Sequence, residues 1–188
     1  MVTPFRKDGG VDFTALTNLT EHLIKGKVDY LVVMGTTGES ATLTADEKNA
    51  VLGCVLETNN GRLPIVLGVG GNNTREICGQ LSSLETDGLS AILSVSPYYN
   101  RPTQKGIYEH YRSLAGASPL PIVLYNVPGR TASNISAETV LKLAHDFENI
   151  VGVKEASGDL DQILTIINER PRNFLVISGD DKLSLPII

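Results

Sequence analysis

A chain of 188 residues with 41% apolar and 20% charged residues can bury one sizeable core, and its balance is that of a globular domain rather than a disordered or fibrous one. A formal net charge of -5 and a pI near 5.2 argue against nucleic acid and anionic membrane as partners, since neither attracts an acidic surface without a basic patch. No run of about 18 or more apolar residues occurs, and MVTPFRKDGG at the start lacks the apolar stretch and cleavage site of a secretory signal. The chain therefore reads as cytoplasmic, with no membrane span. Cys54 and Cys78 are the only cysteines, and two isolated thiols inside helix-like stretches suit a reducing compartment better than a disulfide framework. Three glycosylation sequons, at Asn18, Asn72 and Asn134, are short enough to arise by chance and carry no meaning in a cytosolic chain.

Taken in chain order, short apolar runs alternate with helical patterns. VTPF (2–5) precedes a pattern with Leu16, Leu19 and Leu23 on one face, and YLVVMG (30–35) leads to TADE (44–47), a capping box that predicts a second helix. PIVLGVG (64–70) is followed by Asn73 with Glu76 three residues on, which predicts a third helix bearing Ile77, Leu81 and Leu84. AILSVSP (91–97), PIVLYNVP (121–128), IVGVKE (150–155) and FLVISGD (174–180) complete seven strand-like runs, with Ser136 placed to cap AETVLKLA between two of them. The runs are continuous rather than alternating in hydrophobicity, the pattern of strands buried on both faces of a parallel sheet, and each interval fits one helix. The fold class is α/β. The alternation alone suits a doubly wound sheet and a (β/α)8 barrel equally, and a barrel needs eight strands where seven runs are found. The expectation is a single, incomplete domain over residues 1–188, truncated after about seven strands.

Active sites in parallel α/β proteins lie at the C-terminal ends of the strands, and the segments there are polar: GTTGES (35–40), PYYNRP (97–102), YNVPGRT (125–131), Lys154, and SGDD (178–181). Ile150, Gly152 and Lys154 should share one face of their strand, and the missing side chain at Gly152 would leave room beside the amine. An ammonium among apolar walls is poorly solvated and more readily gives the free amine that attacks a carbonyl. The plain alternative is a strand-end lysine reaching solvent. GTTG offers two hydroxyls and several backbone N–H groups to a small carboxylate, or is only a tight turn. Tyr125 could pass a proton and Arg130 could grip a carboxylate, or they could be an ordinary core-edge tyrosine and surface arginine. GVGGNN (68–73) lacks the G-x-G-x-x-G spacing of a dinucleotide loop. His22, His110 and His145 show no paired-ligand spacing and read as helix-surface or core-edge residues, so no metal is expected. No G-x-S-x-G elbow supports a serine hydrolase.

GTTGESATL, PYYNRPTQKG, LYNVPGRT, VGVKEASG and SGDD together resemble, in order and spacing, the dihydrodipicolinate synthase family within the class I pyruvate aldolases, which also include N-acetylneuraminate lyase. The resemblance implies a (β/α)8 barrel with a C-terminal helical extension, absent from this chain like the eighth strand, and a homotetramer built as a dimer of dimers. It implies a lyase of lysine and diaminopimelate biosynthesis with no cofactor beyond a covalent Schiff base between Lys154 and pyruvate. Thr36 and Thr37 would hold the pyruvate carboxylate, and Thr37, Tyr125 and Tyr99, the last from a neighbouring subunit, would relay protons. Arg130 would bind the carboxylate of L-aspartate 4-semialdehyde, and Gly179 would lie beside bound pyruvate. The product would be 4-hydroxy-tetrahydrodipicolinate.

GTTGES, and GRT after YNVP, favour this synthase over an N-acetylneuraminate lyase-like or 2-keto-3-deoxy-sugar-acid aldolase, the alternative within the class. The alternative of another kind is an inactive truncated fragment whose motifs are inherited and unused. Ser40, Ala41, Asn72, Glu76 and Tyr98 match family positions that bind lysine as an effector. Ala45 and Lys48 replace the histidines of lysine-sensitive members, so weak or absent inhibition is expected.

Overall fold

The computed structural model describes residues 1–187, and its chain divides into two units. The first comprises residues 1–68 with 86–91, the second residues 69–85 with 92–188.

In the first unit, helix α1 (Phe13–Lys25) leads to strand β1 (Leu31–Val33), two short 3-10 turns (Thr36–Gly38 and Ser40–Thr42), helix α2 (Ala45–Asn59) and strand β2 (Ile65–Gly68). β1 and β2 pair in parallel, Leu31 with Ile65 and Val33 with Leu67. Leu16 of α1, Val51 and Val55 of α2, and Leu31, Val33 and Ile65 of the strands are buried together as this unit's core. The capping box forms as its sequence predicts: the Glu47 N–H donates to the Thr44 hydroxyl, and the Thr44 N–H donates to the Glu47 carboxylate.

The VTPF run is not a strand of the sheet. Phe5 instead bridges antiparallel to Val11, with the Arg6 N–H donating to Gly10 O at 2.8 Å and the Asp12 N–H to Pro4 O at 2.9 Å. Pro4 has no N–H to give a ladder, and Asp8-Gly9 turns the chain back through a positive φ of 88° at Gly9. The turn chemistry of KDGG outweighs the apolar run before it.

The second unit contains helix α3 (Thr74–Ser82), strand β3 (Ala91–Val95), helix α4 (Gln104–Ala117), strand β4 (Ile122–Asn126), helices α5 (Pro128–Thr131) and α6 (Ala137–Asp146), strand β5 (Ile150–Glu155), helix α7 (Leu160–Glu169), strand β6 (Leu175–Ser178) and helix α8 (Ser184–Ile187). Asn73 and Ser136 cap α3 and α6 as expected. α3 ends at Ser82, which leaves Leu84 beyond the helix rather than on its apolar face. β3 pairs with β4, β4 with β5 and β5 with β6, all parallel. Ile92, Ile122, Leu124 and Val153 from the strands and Ile107, Tyr111, Leu143, Ile163 and Ile166 from the helices are buried. Both faces of β3, β4 and β5 are covered, which explains their continuous apolar runs, whereas in β6 Leu175 is exposed and Val176 to Ser178 are half-buried. Neighbouring strands follow one another in chain order within each unit, as in a barrel and unlike the reversal of a doubly wound sheet.

Candidate active site

β4 and β5 carry the centre of the candidate site. Their register sets Tyr125 beside Lys154 and Asn126 beside Glu155. Successive strand residues point to opposite faces, so the first pair lies on one side of the sheet and the second pair on the other. Lys154 is half-buried, and its Nζ lies 4.5 Å from the centre of the Tyr125 ring, within cation–π range. Among the described residues no carboxylate reaches the ammonium and no hydrogen bond engages it. The Tyr125 ring is buried, and its hydroxyl likewise has no partner among the described residues. No ion pair or hydrogen bond among the described residues therefore has to be broken before Lys154 meets an electrophile.

β6 supplies the wall on the other flank. Gly179 follows it, its N–H donating to Glu155 O at 2.7 Å, and a Cβ there would stand 3.2 Å from Lys154 Cε. The lysine stem thus runs against a backbone that has no side chain. Gly152 acts differently from the expectation. A Cβ at Gly152 would stand 2.8 Å from Leu175 O and 2.9 Å from Leu175 Cβ, so its bareness lets β6 approach β5 rather than opening space beside the amine. The alternation also shifts there: Ile122 pairs with Ile150 but Val123 with Gly152, a bulge that leaves Val151 over. Ile150 therefore does not keep simple alternation with Gly152 and Lys154.

Arg130 sits in the last turn of the short helix α5, exposed, with no side-chain partner among the described residues. Tyr99 is 87% exposed. Its φ is +73°, and the Asn100 N–H donates across it to Tyr98 O at 2.8 Å, the γ-turn of positive central φ that is rare and strained for a bulky residue. Thr36 and Thr37 belong to the first unit, where both are exposed in the 3-10 turn after β1. Gly38, which ends that turn, is buried against Thr3, whose hydroxyl donates to Gly38 O at 2.7 Å. Of the residues matching effector positions, Ser40 and Ala41 lie in the first unit's second 3-10 turn. Asn72, Glu76 and Tyr98 lie in the second, with the Asn72 amide donating to Tyr98 O at 3.2 Å.

Two residues escaped the sequence reading. Glu155 is fully buried, accepting from both the Asn126 amide and the Ser157 N–H, and from Gln162 Nε2 at 3.0 Å. Asn126, also fully buried, accepts the Ile135 N–H at 3.0 Å. A signal existed: a strand buried on both faces cannot expose both members of a Lys-Glu pair at its end. Tyr111 is fully buried and donates to Ser94 O at 2.9 Å, and burial pushes its pKa far upward, so it is no candidate for proton transfer. Of the two places the sequence allowed, helix surface or core edge, His110 takes the inner one: it is buried, with Nδ1 2.8 Å from the Thr74 hydroxyl, and burial holds its pKa down to about 4. No group of three or more His, Cys, Asp or Glu residues suited to a metal lies among the described residues. No helix among them is long and apolar enough to cross a membrane.

The sequence model of the dihydrodipicolinate synthetase family matches residues 1–188, the whole chain. The chain belongs to the dihydrodipicolinate synthetase family. It is 56% identical over 188 residues to the 4-hydroxy-tetrahydrodipicolinate synthase of Flavobacterium psychrophilum, and spans 64% of that protein's length. Among solved structures, it matches over its full length the chloride-inhibited dihydrodipicolinate synthase of Acinetobacter baumannii complexed with pyruvate, with a TM-score of 0.94, 42% identity and 64% of that chain covered. It matches equally over its length the dihydrodipicolinate synthase of Cyanidioschyzon merolae with lysine bound, with a TM-score of 0.94, 43% identity and 64% of that chain covered. The fold class is thus α/β, with the strands and helices of part of a (β/α)8 barrel as this family builds it.

Proposed function

We propose that this chain carries the Schiff-base centre of a 4-hydroxy-tetrahydrodipicolinate synthase, a lyase that condenses pyruvate with L-aspartate 4-semialdehyde. The observation that carries this reading is the half-buried, unpaired Lys154 at the end of β5, with its Nζ 4.5 Å from the Tyr125 ring centre. The pyruvate complex of the Acinetobacter relative supports the choice of first substrate.

In this reading the Lys154 amine attacks C2 of pyruvate and the carbinolamine loses water to give an iminium. Loss of a proton from C3 gives an enamine, whose C3 attacks the aldehyde carbon of the semialdehyde. The amino group of that substrate then closes the ring on C2 and expels the Lys154 amine. One water leaves in all, and no metal or redox cofactor enters the balance. Thr36 and Thr37 hold the pyruvate carboxylate. Thr37 and Tyr125 move protons, with Tyr99 from a neighbouring subunit of a homotetramer. Arg130, exposed and unpaired among the described residues, takes the semialdehyde carboxylate bidentately. The site serves lysine biosynthesis in the cytoplasm.

The test is incubation of the protein with pyruvate and borohydride, followed by peptide mass mapping. A reduced adduct on the Lys154 peptide is expected. A folded protein that gives none sinks the assignment.

A further inference from the structure

We propose that Glu155 is a positioning residue for the Schiff-base lysine, holding the ends of β4, β5 and α7 and the Arg130 loop in one arrangement through a buried carboxylate network. The inference rests on the aldolase reading of Lys154, and it assigns a role to a residue that this chemistry does not use directly.

Glu155 is fully buried, yet its hydrogen-bond partners include no lysine, arginine or histidine. A carboxylate in such a place is costly unless its oxygens are satisfied. Here Oε1 accepts from the Ser157 N–H at 2.8 Å and Oε2 from Gln162 Nε2 at 3.0 Å, while Asn126 Nδ2, which also donates to Asn134 Oδ1 at 2.7 Å, lies 3.0 and 3.1 Å from the two oxygens and is shared between them. Every hydrogen-bond partner is a donor, so both carboxylate oxygens serve the network as acceptors. The network reaches further through Asn126. Its Oδ1 accepts the Ile135 N–H, closing the segment that carries Arg130, and Asn134 Nδ2 in that segment donates to Gln162 Oε1 at 2.8 Å. The backbone of the same residue holds the third strand, since Gly179 N–H donates to Glu155 O.

These bonds act on the catalytic pair through the strands. Asn126 and Glu155 pair directly after Tyr125 and Lys154, so any slip or splay at this level moves Nζ relative to the Tyr125 ring and the lysine stem relative to Gly179. Buried networks of this kind stand or fall together, because a lost partner leaves the others unpaired.

The experiment compares the unaltered protein with Glu155→Gln and Gln162→Leu. Glu155→Gln keeps the shape but turns one acceptor oxygen into a donor facing donors. Gln162→Leu removes one donor from a half-exposed helix position, and it keeps the test open where the first variant fails to fold. The readout is the rate and pH profile of pyruvate-dependent borohydride trapping on the Lys154 peptide, with circular dichroism to certify the fold. Trapping about 100-fold slower in folded Glu155→Gln and about tenfold slower in Gln162→Leu is expected, each with a pH profile displaced from that of the unaltered protein. Folded variants that trap at the original rate with the original profile overturn the positioning role alone. An unaltered protein with no adduct on Lys154 overturns the aldolase reading and this inference with it.

Discussion

A Cβ placed on Gly179 would stand 3.2 Å from Lys154 Cε, 2.8 Å from Ala156 Cβ and 3.1 Å from the carbonyl oxygen of Glu155. The tightest of the three, Ala156 Cβ, and the Glu155 oxygen cannot swing away, so the backbone at Gly179 must shift, and the lysine stem packed against it must shift too. Gly179→Ala should therefore displace Nζ from the Tyr125 ring. The strain of overpacking amounts to about 1–3 kcal/mol, and a displacement near 1 Å slows adduct formation about 100-fold. Urea unfolding reads the first effect, and borohydride trapping with pyruvate reads the second. A variant that loses stability without slowing adduct formation separates Gly179 from the site.

Tyr125 offers two things to Lys154, a ring face and a hydroxyl, and Tyr125→Phe separates them. The ring contact with Nζ survives the change, and the hydroxyl removed has no partner among the described residues, so stability should stay within about 0.5 kcal/mol. If the hydroxyl relays protons, the steady-state rate falls by about 10²–10⁴ while pyruvate still forms a trappable adduct. Undiminished turnover in Tyr125→Phe removes the relay.

The place of Lys154 at a strand end beside Tyr125 was legible in the sequence, because a charged residue at the end of a continuous apolar run is conspicuous. Strands β1 to β6 and the caps at Thr44, Asn73 and Ser136 were legible for the same local reason: periodicity and capping are written in adjacent residues. Gly152 was misread because alternation cannot foresee a bulge or the approach of Leu175 from a strand far along the chain. Glu155 was missed because the run shows that one of Lys154 and Glu155 must be buried, while its hydrogen-bond partners Asn126 and Gln162 come from elsewhere in the chain. VTPF was misread because the turn after it, rather than the run itself, decides its pairing.

His110 makes stability depend on pH. Burial lowers its pKa from 6.5 to about 4 in the folded chain, so between those values the unfolded chain binds the extra proton. Stability is fully present above pH 6.5 and is lost as pH falls towards 4, by about 3 kcal/mol for this group. Urea unfolding between pH 7 and pH 4 should show that loss, and His110→Gln should flatten it. The surface carboxylates Asp8, Glu21, Glu47 and Asp146, whose pKa values are lowered by hydrogen bonds, are common to both proteins and cancel in the difference. Parallel curves for the two proteins would show that the buried ring is not the source.

Tyr99 holds an unfavourable backbone while standing 87% exposed, which no packing requirement in this chain explains. Strain of this kind amounts to about 1–3 kcal/mol, and a glycine there gives back about 0.5–1 kcal/mol in unfolded-state entropy. Tyr99→Gly should thus be as stable as the unaltered protein or more stable by about 1 kcal/mol, and Tyr99→Phe should be unchanged. Both variants lack the hydroxyl, and both should lower turnover by a similar factor if that hydroxyl completes the proton relay. A Tyr99→Gly protein that is less stable by more than about 1 kcal/mol would show that the turn is not strained.

The surroundings of Asn72, Glu76 and Tyr98 bear on lysine as an effector. The Asn72 amide is already given to Tyr98 O, and Glu76 is engaged by the Asn73 side chain and by Gln80 Nε2. A lysine ligand would share these groups with their present partners, and net hydrogen-bond exchange is worth only about 0.5–1.5 kcal/mol each. In sequence, Ala45 and Lys48 stand where lysine-sensitive members of the resembled family have histidines, and Lys48 adds a positive charge that does not favour a cationic ligand. Calorimetric titration with L-lysine should therefore give no binding at millimolar concentration, and Lys48→His should strengthen it. Tight binding by the unaltered protein would show that Ala45 and Lys48 do not govern the site, and that the Cyanidioschyzon relative's lysine-bound state is the better guide to this chain.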